Sequence, residues 1–234
     1  MSTGGCNGST QVEQQGPGPD EVVVETSATP SRAVIWLHGL GADGHDFEPI
    51  VPALRAPDTR FVFPHAPVRP ITINGGMGMR AWFDIDSLDR DMSLDEVGLA
   101  ESVARVHALV QRERDRGIAA DHILIAGFSQ GGAIALVAGL TVDPAPAGII
   151  ALSTFITQRY QPTLASTIKD PSVPVFMAHG TQDPVVQFAF GQHAAQFLVD
   201  HGITVDWHQY PMGHAVCPPE IEHIGAWMRQ RLDV

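Results

Sequence analysis

Three residues with the chemistry of acyl transfer stand in three separate short segments. Ser129 lies in GFSQGG (127–132), Asp183 in HGTQDPVV (179–186) and His214 in YPMGHAV (210–216). A serine hydroxyl is a weak nucleophile near neutral pH, so it needs a neighbouring base, and the base needs a group that orients it. The stretch Gly127-Phe128-Ser129-Gln130-Gly131 satisfies G-x-S-x-G, with the apolar HILIA before it and the apolar GGAIALVAGL after it. In a strand-to-helix setting this motif holds the serine on a tight turn at the end of a sheet. The helix that follows adds a positive end that favours developing negative charge.

The chain contains 11 histidines, and position separates them. His214 follows the last predicted strand and precedes the last predicted helix. His208 falls inside that strand, His223 inside the closing helix, and His193 and His201 in the preceding helical region. Among the acids, Asp183 leaves a strand and precedes Pro184. Asp200 falls near a helix end and Asp206 inside a strand. The order Ser129, Asp183, His214 is the order expected when nucleophile, acid and base come from successive strand ends. Attack on a carbonyl also needs donors aimed at the oxyanion. One is the backbone N–H of Gln130, directly after the nucleophile. The other is assigned to Leu40 N–H in HGLGADG (38–44), where glycines permit close approach of backbone to ligand. His38 is read as a packed, structural residue.

These segments must be carried by regular elements. AVIWLHG (33–39), RFVFPHAP (60–67), HILIAGFS (122–129), AGIIALST (147–154), VPVFMAHG (173–180) and ITVDWHQY (203–210) read as strands, with EVVVET (21–26) as a first, edge strand. Helices are expected over 45–55, 93–117, 130–140, 186–201 and 218–232. In 93–117, Ser93 and Glu96 have capping-box spacing and Gly117 is a stop. Residues 69–85 carry no single period and read as a long loop. Strand and helix alternate, which implies an α/β fold with a mainly parallel sheet and helices on both faces. Residues 21–234 are read as one domain. Residues 1–20, rich in Gly, Ser, Gln and Pro, are read as a disordered tail.

Composition narrows the partners. With 14 Lys and Arg against 26 Asp and Glu the formal net charge is −12, which argues against nucleic acid or an anionic membrane surface. Two cysteines, Cys6 and Cys217, make no disulfide framework, which fits a reducing cytoplasm. No apolar run approaches the ~18–20 residues of a membrane span, so no stable membrane insertion is expected. The acidic run DIDSLDRDMSLDE (84–96) lacks the glycine of a calcium loop, and H-E-x-x-H is absent. No metal and no cofactor are expected.

HGLGADG, FPHAPVRPITINGG, MRAWFDI, GFSQGG, HGTQDPVV and YPMGHAV, in this order between about residues 32 and 231, resemble the phospholipase/carboxylesterase family of α/β-hydrolases, which includes bacterial carboxylesterases and acyl-protein thioesterases. The resemblance implies the α/β-hydrolase fold, a Ser129–Asp183–His214 triad and Leu40 and Gln130 as oxyanion donors. It also implies an acyl groove touched by Ile73, Trp82 and Val185. The segment 152–167 departs from the family's pattern, although Phe155 falls where an aromatic groove residue is expected. The implied substrate is a small or lipid-like carboxylic ester, with acyl thioesters, lysophospholipids or acylated proteins as alternatives. A non-catalytic α/β-hydrolase-like binding protein is the rival of a different class. An apolar surface strip leaves room for a weak homodimer.

Overall fold

The computed structural model describes residues 20–87 and 93–234. All but the last residue of the expected tail therefore lies outside the described residues, as does Cys6. Its centre is a seven-stranded sheet: β1 (Glu21–Glu25), β2 (Arg32–Leu37), β3 (Thr59–Pro64), β6 (Ile123–Phe128), β7 (Gly148–Leu152), β8 (Val175–Gly180) and β9 (Val205–Tyr210), in the spatial order β1-β3-β2-β6-β7-β8-β9. Every neighbouring pair is parallel except the antiparallel β1–β3 edge. The central strands read as unbroken apolar runs because both faces of the sheet are covered, as parallel sheets require. Alternation decides which side chain enters which core. Ile35, Ile125, Ile149 and Val175 enter one core, and Trp36, Leu124, Ile150 and Phe176 the other.

On the first face lie α2 (Glu96–Asp115), α3 (Gln130–Thr141), α4 (Gln161–Thr167) and α5 (Phe188–Asp200). On the second lie α1 (Val51–Leu54) and α6 (Pro218–Arg231). Helix α3 is apolar all round and buried along nearly its whole length, as expected of a helix inside a core. The expected helix 45–55 shrinks to a 3-10 turn at Glu48–Ile50 and the four residues of α1. Pro49 and Pro52 permit only helix starts here, and Arg55 at φ 51° ends the helix. Phe47, Val51 and Leu54 are buried all the same, while Ile50 is only half-buried.

Two further readings change. The long loop 69–85 contains a two-stranded antiparallel ribbon, β4 (Val68–Ile71) and β5 (Met77–Arg80), turned by Gly75 and Gly76 at φ 64° and 80°. Helix α2 is capped by Asp95, whose carboxylate accepts Gly98 N–H at 2.9 Å. Ser93 instead donates its hydroxyl to Asp86 at 2.5 Å, because the chain still pairs across the Ile85–Leu94 bridge at this point. Gly117, at φ 99°, stops α2 as expected. The 152–167 segment ends in α4. No helix among the described residues is long and apolar enough to cross a membrane.

Candidate active site

The sheet order brings the three segments together. β2 is the switch strand: it pairs with β3 on one side and with β6 on the other. In such sheets ligands bind beyond the carboxyl ends of the strands near the switch. Leu37 pairs with Gly127, so the 38–44 loop and Ser129 emerge side by side. The ends of β8 and β9 then deliver Asp183 and His214 to the same edge.

Ser129 is the N-cap of α3 at φ 55°, ψ −120°. Its backbone is pinned on both sides: Ser129 N–H donates to Leu152 O at 2.8 Å, and Thr154 Oγ1 donates to Ser129 O at 2.7 Å. Glycines let the turn close. A Cβ at Gly127 would overlap the Gly131 carbonyl, and one at Gly132 would stand 2.7 Å from Thr154 Cβ.

His214 Nδ1 lies 2.7 Å from Asp183 Oδ2. A carboxylate only accepts, so Nδ1 carries the hydrogen, and Nε2 of the neutral ring holds the basic lone pair. Asp183 is buried. Its other oxygen, Oδ1, accepts Val185 N–H at 2.8 Å and Val186 N–H at 2.9 Å. The Phe128 ring packs against the His214 ring with centroids 4.7 Å apart.

Ser129 and His214 line one cavity of about 270 Å³. Leu40 and Gln130 line it as well, as do the expected groove residues Ile73, Phe155 and Val185. The walls are mostly apolar; Ile85, Phe128 and Val186 complete them, and Asn74 and Asp46 supply polar groups.

Trp82 requires a correction. It is fully buried and lies outside the lining of the cavity. Its indole N–H donates to His38 O at 2.8 Å, and its ring packs on the His38 imidazole at 5.3 Å. An indole buried this completely needs its N–H satisfied, and the loop that begins at His38 supplies the acceptor. Trp82 therefore supports the 38–44 loop from behind.

His38 is packed as read. Its Nε2 accepts Ala66 N–H at 2.9 Å, so Nδ1 donates to Gly39 O at 2.7 Å. Burial lowers its pKa to about 4, against the opposing pull of the Gly39 carbonyl. Gly41 N–H donates to Arg80 O at 2.8 Å, so the loop is tied to β5 too.

The role of the Gln130 side chain is absent from the sequence reading. Its Oε1 accepts Trp82 N–H at 2.8 Å, and its Nε2 donates to Phe83 O at 2.7 Å. The amide thus clamps residues 82–83 to the first turn of α3. A glutamine at the start of an otherwise apolar helix was the available signal. Phe128 and His179 were missed as well. Nothing in their spacing sets them apart from core residues.

A serine on a strained strand-to-helix turn, at the carboxyl edge of this mainly parallel sheet, defines the class as an α/β-hydrolase. The chain belongs to the phospholipase/carboxylesterase family, whose pattern it matches over residues 19–231. It is similar to acyl-protein thioesterase 1 of Cryptococcus neoformans, with 39% identity over 221 residues, 86% of this chain and 93% of that one. Carboxylesterase SOBER1 of Arabidopsis thaliana is 33% identical over 207 residues, 85% of this chain and 90% of its own. The crystal structure of SOBER1 superimposes with a TM-score of 0.81, covering 86% of this chain and 99% of that one at 32% identity.

Proposed function

We propose that the protein is a serine hydrolase that cleaves carboxylic esters through an acyl-enzyme. The observation that carries this reading is the 2.7 Å His214–Asp183 contact at the wall of a cavity that Ser129, Leu40 and Gln130 also line. Ser129 Oγ attacks the ester carbonyl, and His214 Nε2 takes its proton. Asp183 holds the imidazole tautomer and balances the imidazolium charge. The N–H groups of Leu40 and Gln130 receive the oxyanion. His214 returns the proton to the leaving alcohol. Water then repeats the sequence and releases the acid.

The apolar walls support recognition of the acyl group by burial rather than by hydrogen bonds. A cavity of about 270 Å³ sits just below the usual ligand range of roughly 300–1,000 Å³, which favours short acyl groups. A second reading, thioester cleavage at the same site, is supported by the likeness to acyl-protein thioesterases. Lysophospholipids are further candidates for the same groove.

The test is a chain-length series of activated esters and matched acyl thioesters, with Ser129→Ala as control. Short acyl esters are expected to give the highest kcat/KM, with a decline as the chain outgrows the cavity. Ser129→Ala is expected to retain only the ~10³–10⁴-fold acceleration over water that survives loss of a triad member. Wild-type turnover by that variant would overturn the mechanism. A rate that climbs with chain length would overturn the short-acyl preference.

A further inference from the structure

We propose that His179 is a positioning residue for Asp183, an inner imidazole whose N–H holds the Val186 carbonyl and lies beside the Asp183 carboxylate. The inference rests on the reading of Asp183 as the partner of the catalytic base.

His179 lies near the end of β8, four residues before Asp183, and its side chain is fully buried. Its Nε2 stands 2.9 Å from Val186 O and 3.4 Å from Asp183 Oδ2. Both neighbours only accept, so Nε2 carries the hydrogen. The hydrogen bond goes to the carbonyl, and the carboxylate oxygen at 3.4 Å stands beside the polarised N–H without a hydrogen bond of its own. Nδ1 is then a bare acceptor, buried with no hydrogen-bond partner. Leaving such an atom unpaired is costly, a cost a site keeps when the other ring nitrogen is needed.

The surroundings enforce this tautomer. A Cβ at Gly191 of α5 would overlap Nδ1, so the glycine makes room for the ring. Phe188 meets the ring edge-on at 5.9 Å, and Trp207 of β9 stacks at 6.5 Å. Burial also lowers the pKa of His179, which keeps the ring neutral.

The consequence falls on Asp183. The Val186 peptide is held at both ends, its N–H by Asp183 Oδ1 and its C=O by His179. The 183–186 turn is thereby locked to β8, with Oδ2 aimed at His214. The ionisable groups facing the carboxylate are His214 on one side and His179 on the other. Asp46 lines the same cavity as His214. From α5 and β9, His179 meets Phe188, Gly191 and Trp207, none of them ionisable. A polarised N–H held beside a carboxylate offsets part of its charge. Without the His179 N–H dipole beside it, Asp183 would stabilise the imidazolium better, though it would be worse oriented.

The experiment compares wild type, His179→Gln and His179→Leu by the pH profile of kcat/KM, with rates per active site counted by fluorophosphonate titration. In the leucine variant kcat is expected to fall roughly tenfold, the worth of one hydrogen bond, with KM little changed. Its acid limb is expected to move up by about half a pH unit. The glutamine variant, whose amide N–H can replace Nε2–H, is expected to restore both. A residue that only fills space would lower the melting temperature or the active fraction and leave the limb in place, and that result would overturn the proposal. A second readout needs no variant: ¹⁵N shifts of histidine-labelled wild type. A neutral Nε2–H ring at 179 supports the proposal, and an Nδ1–H ring overturns it even if the leucine variant does not fold. Failure of the underlying reading looks different, because His214→Ala would then keep its turnover.

Discussion

Ser129, at φ 55° and ψ −120°, occupies backbone territory that costs a non-glycine residue roughly 1–3 kcal/mol. The hydrogen bonds from Ser129 N–H and to Ser129 O help to hold it there. Glu220, on the opposite face of the sheet, stores a different kind of tension. It is fully buried. Its Oε2 accepts Cys217 N–H at 3.3 Å, while Oε1 has no partner. Burial raises its pKa from 4.5 to about 7, and the Cys217 N–H opposes this. The folded state therefore keeps a proton that the unfolded chain has released. The linked stability is fully present below pH 4.5 and is lost as pH rises toward 7. His38 works in the reverse sense. Its pKa falls from 6.5 to about 4, so its contribution is full above 6.5 and lost as pH falls toward 4. Because the two overlap, the informative quantity is the difference between wild type and Glu220→Gln, which can keep the cap. Glu220→Gln is expected to gain on wild type by up to about 3 kcal/mol between pH 4.5 and 8, measured by urea unfolding. Parallel pH traces would show that Glu220 is not the group responsible. At this scale motif and chain order singled out Ser129, Asp183, His214, Leu40 and Gln130, and four of these line one cavity while Asp183 bonds to His214. The sequence reading misjudged Trp82, because a tryptophan that lines a groove and one that backs a loop are the same letter beside the same neighbours.

Elements place these residues through close contact between backbones. The first turn of α3 touches the end of β2 at Gly131, where a Cβ would stand 2.5 Å from the carbonyl oxygens of Leu37 and His38. Gly131→Ala is expected to push the serine turn away from the 38–44 loop. The cost should be about 1–3 kcal/mol, typical of overpacking, together with a drop in kcat. Thermal melts and ester turnover measured together check this, and an alanine variant unchanged in both would show that the contact is slack. Strands were the most legible elements, since a fully covered sheet leaves unbroken runs such as AVIWL and ILIA. The β4–β5 ribbon was not. Ile71 is its only buried side chain, and Val68 and Met77 are exposed, so no alternation marks it. The helix over 45–55 was overestimated because apolar spacing persists through Pro49 and Pro52, although the backbone cannot. The capping box at Ser93 had correct spacing but lost to a hydrogen bond with Asp86, a contact across the chain that spacing cannot reveal.

Over the whole molecule, the order β1-β3-β2-β6-β7-β8-β9 turns three distant segments into one site. The alternation of strand and helix made a mainly parallel sheet legible. It did not specify which strands are neighbours, because pairing depends on packing between runs that look alike. The placement of β2 beside β6 puts the 38–44 loop next to Ser129, and the placement of β8 beside β9 puts Asp183 next to His214. Labelling with a fluorophosphonate, followed by peptide mass spectrometry, tests this convergence most directly. A single adduct on Ser129 is expected, formed rapidly in wild type and slowed by orders of magnitude in His214→Ala. An ester-hydrolysing preparation with Ser129 unmodified, or with label elsewhere, would contradict it.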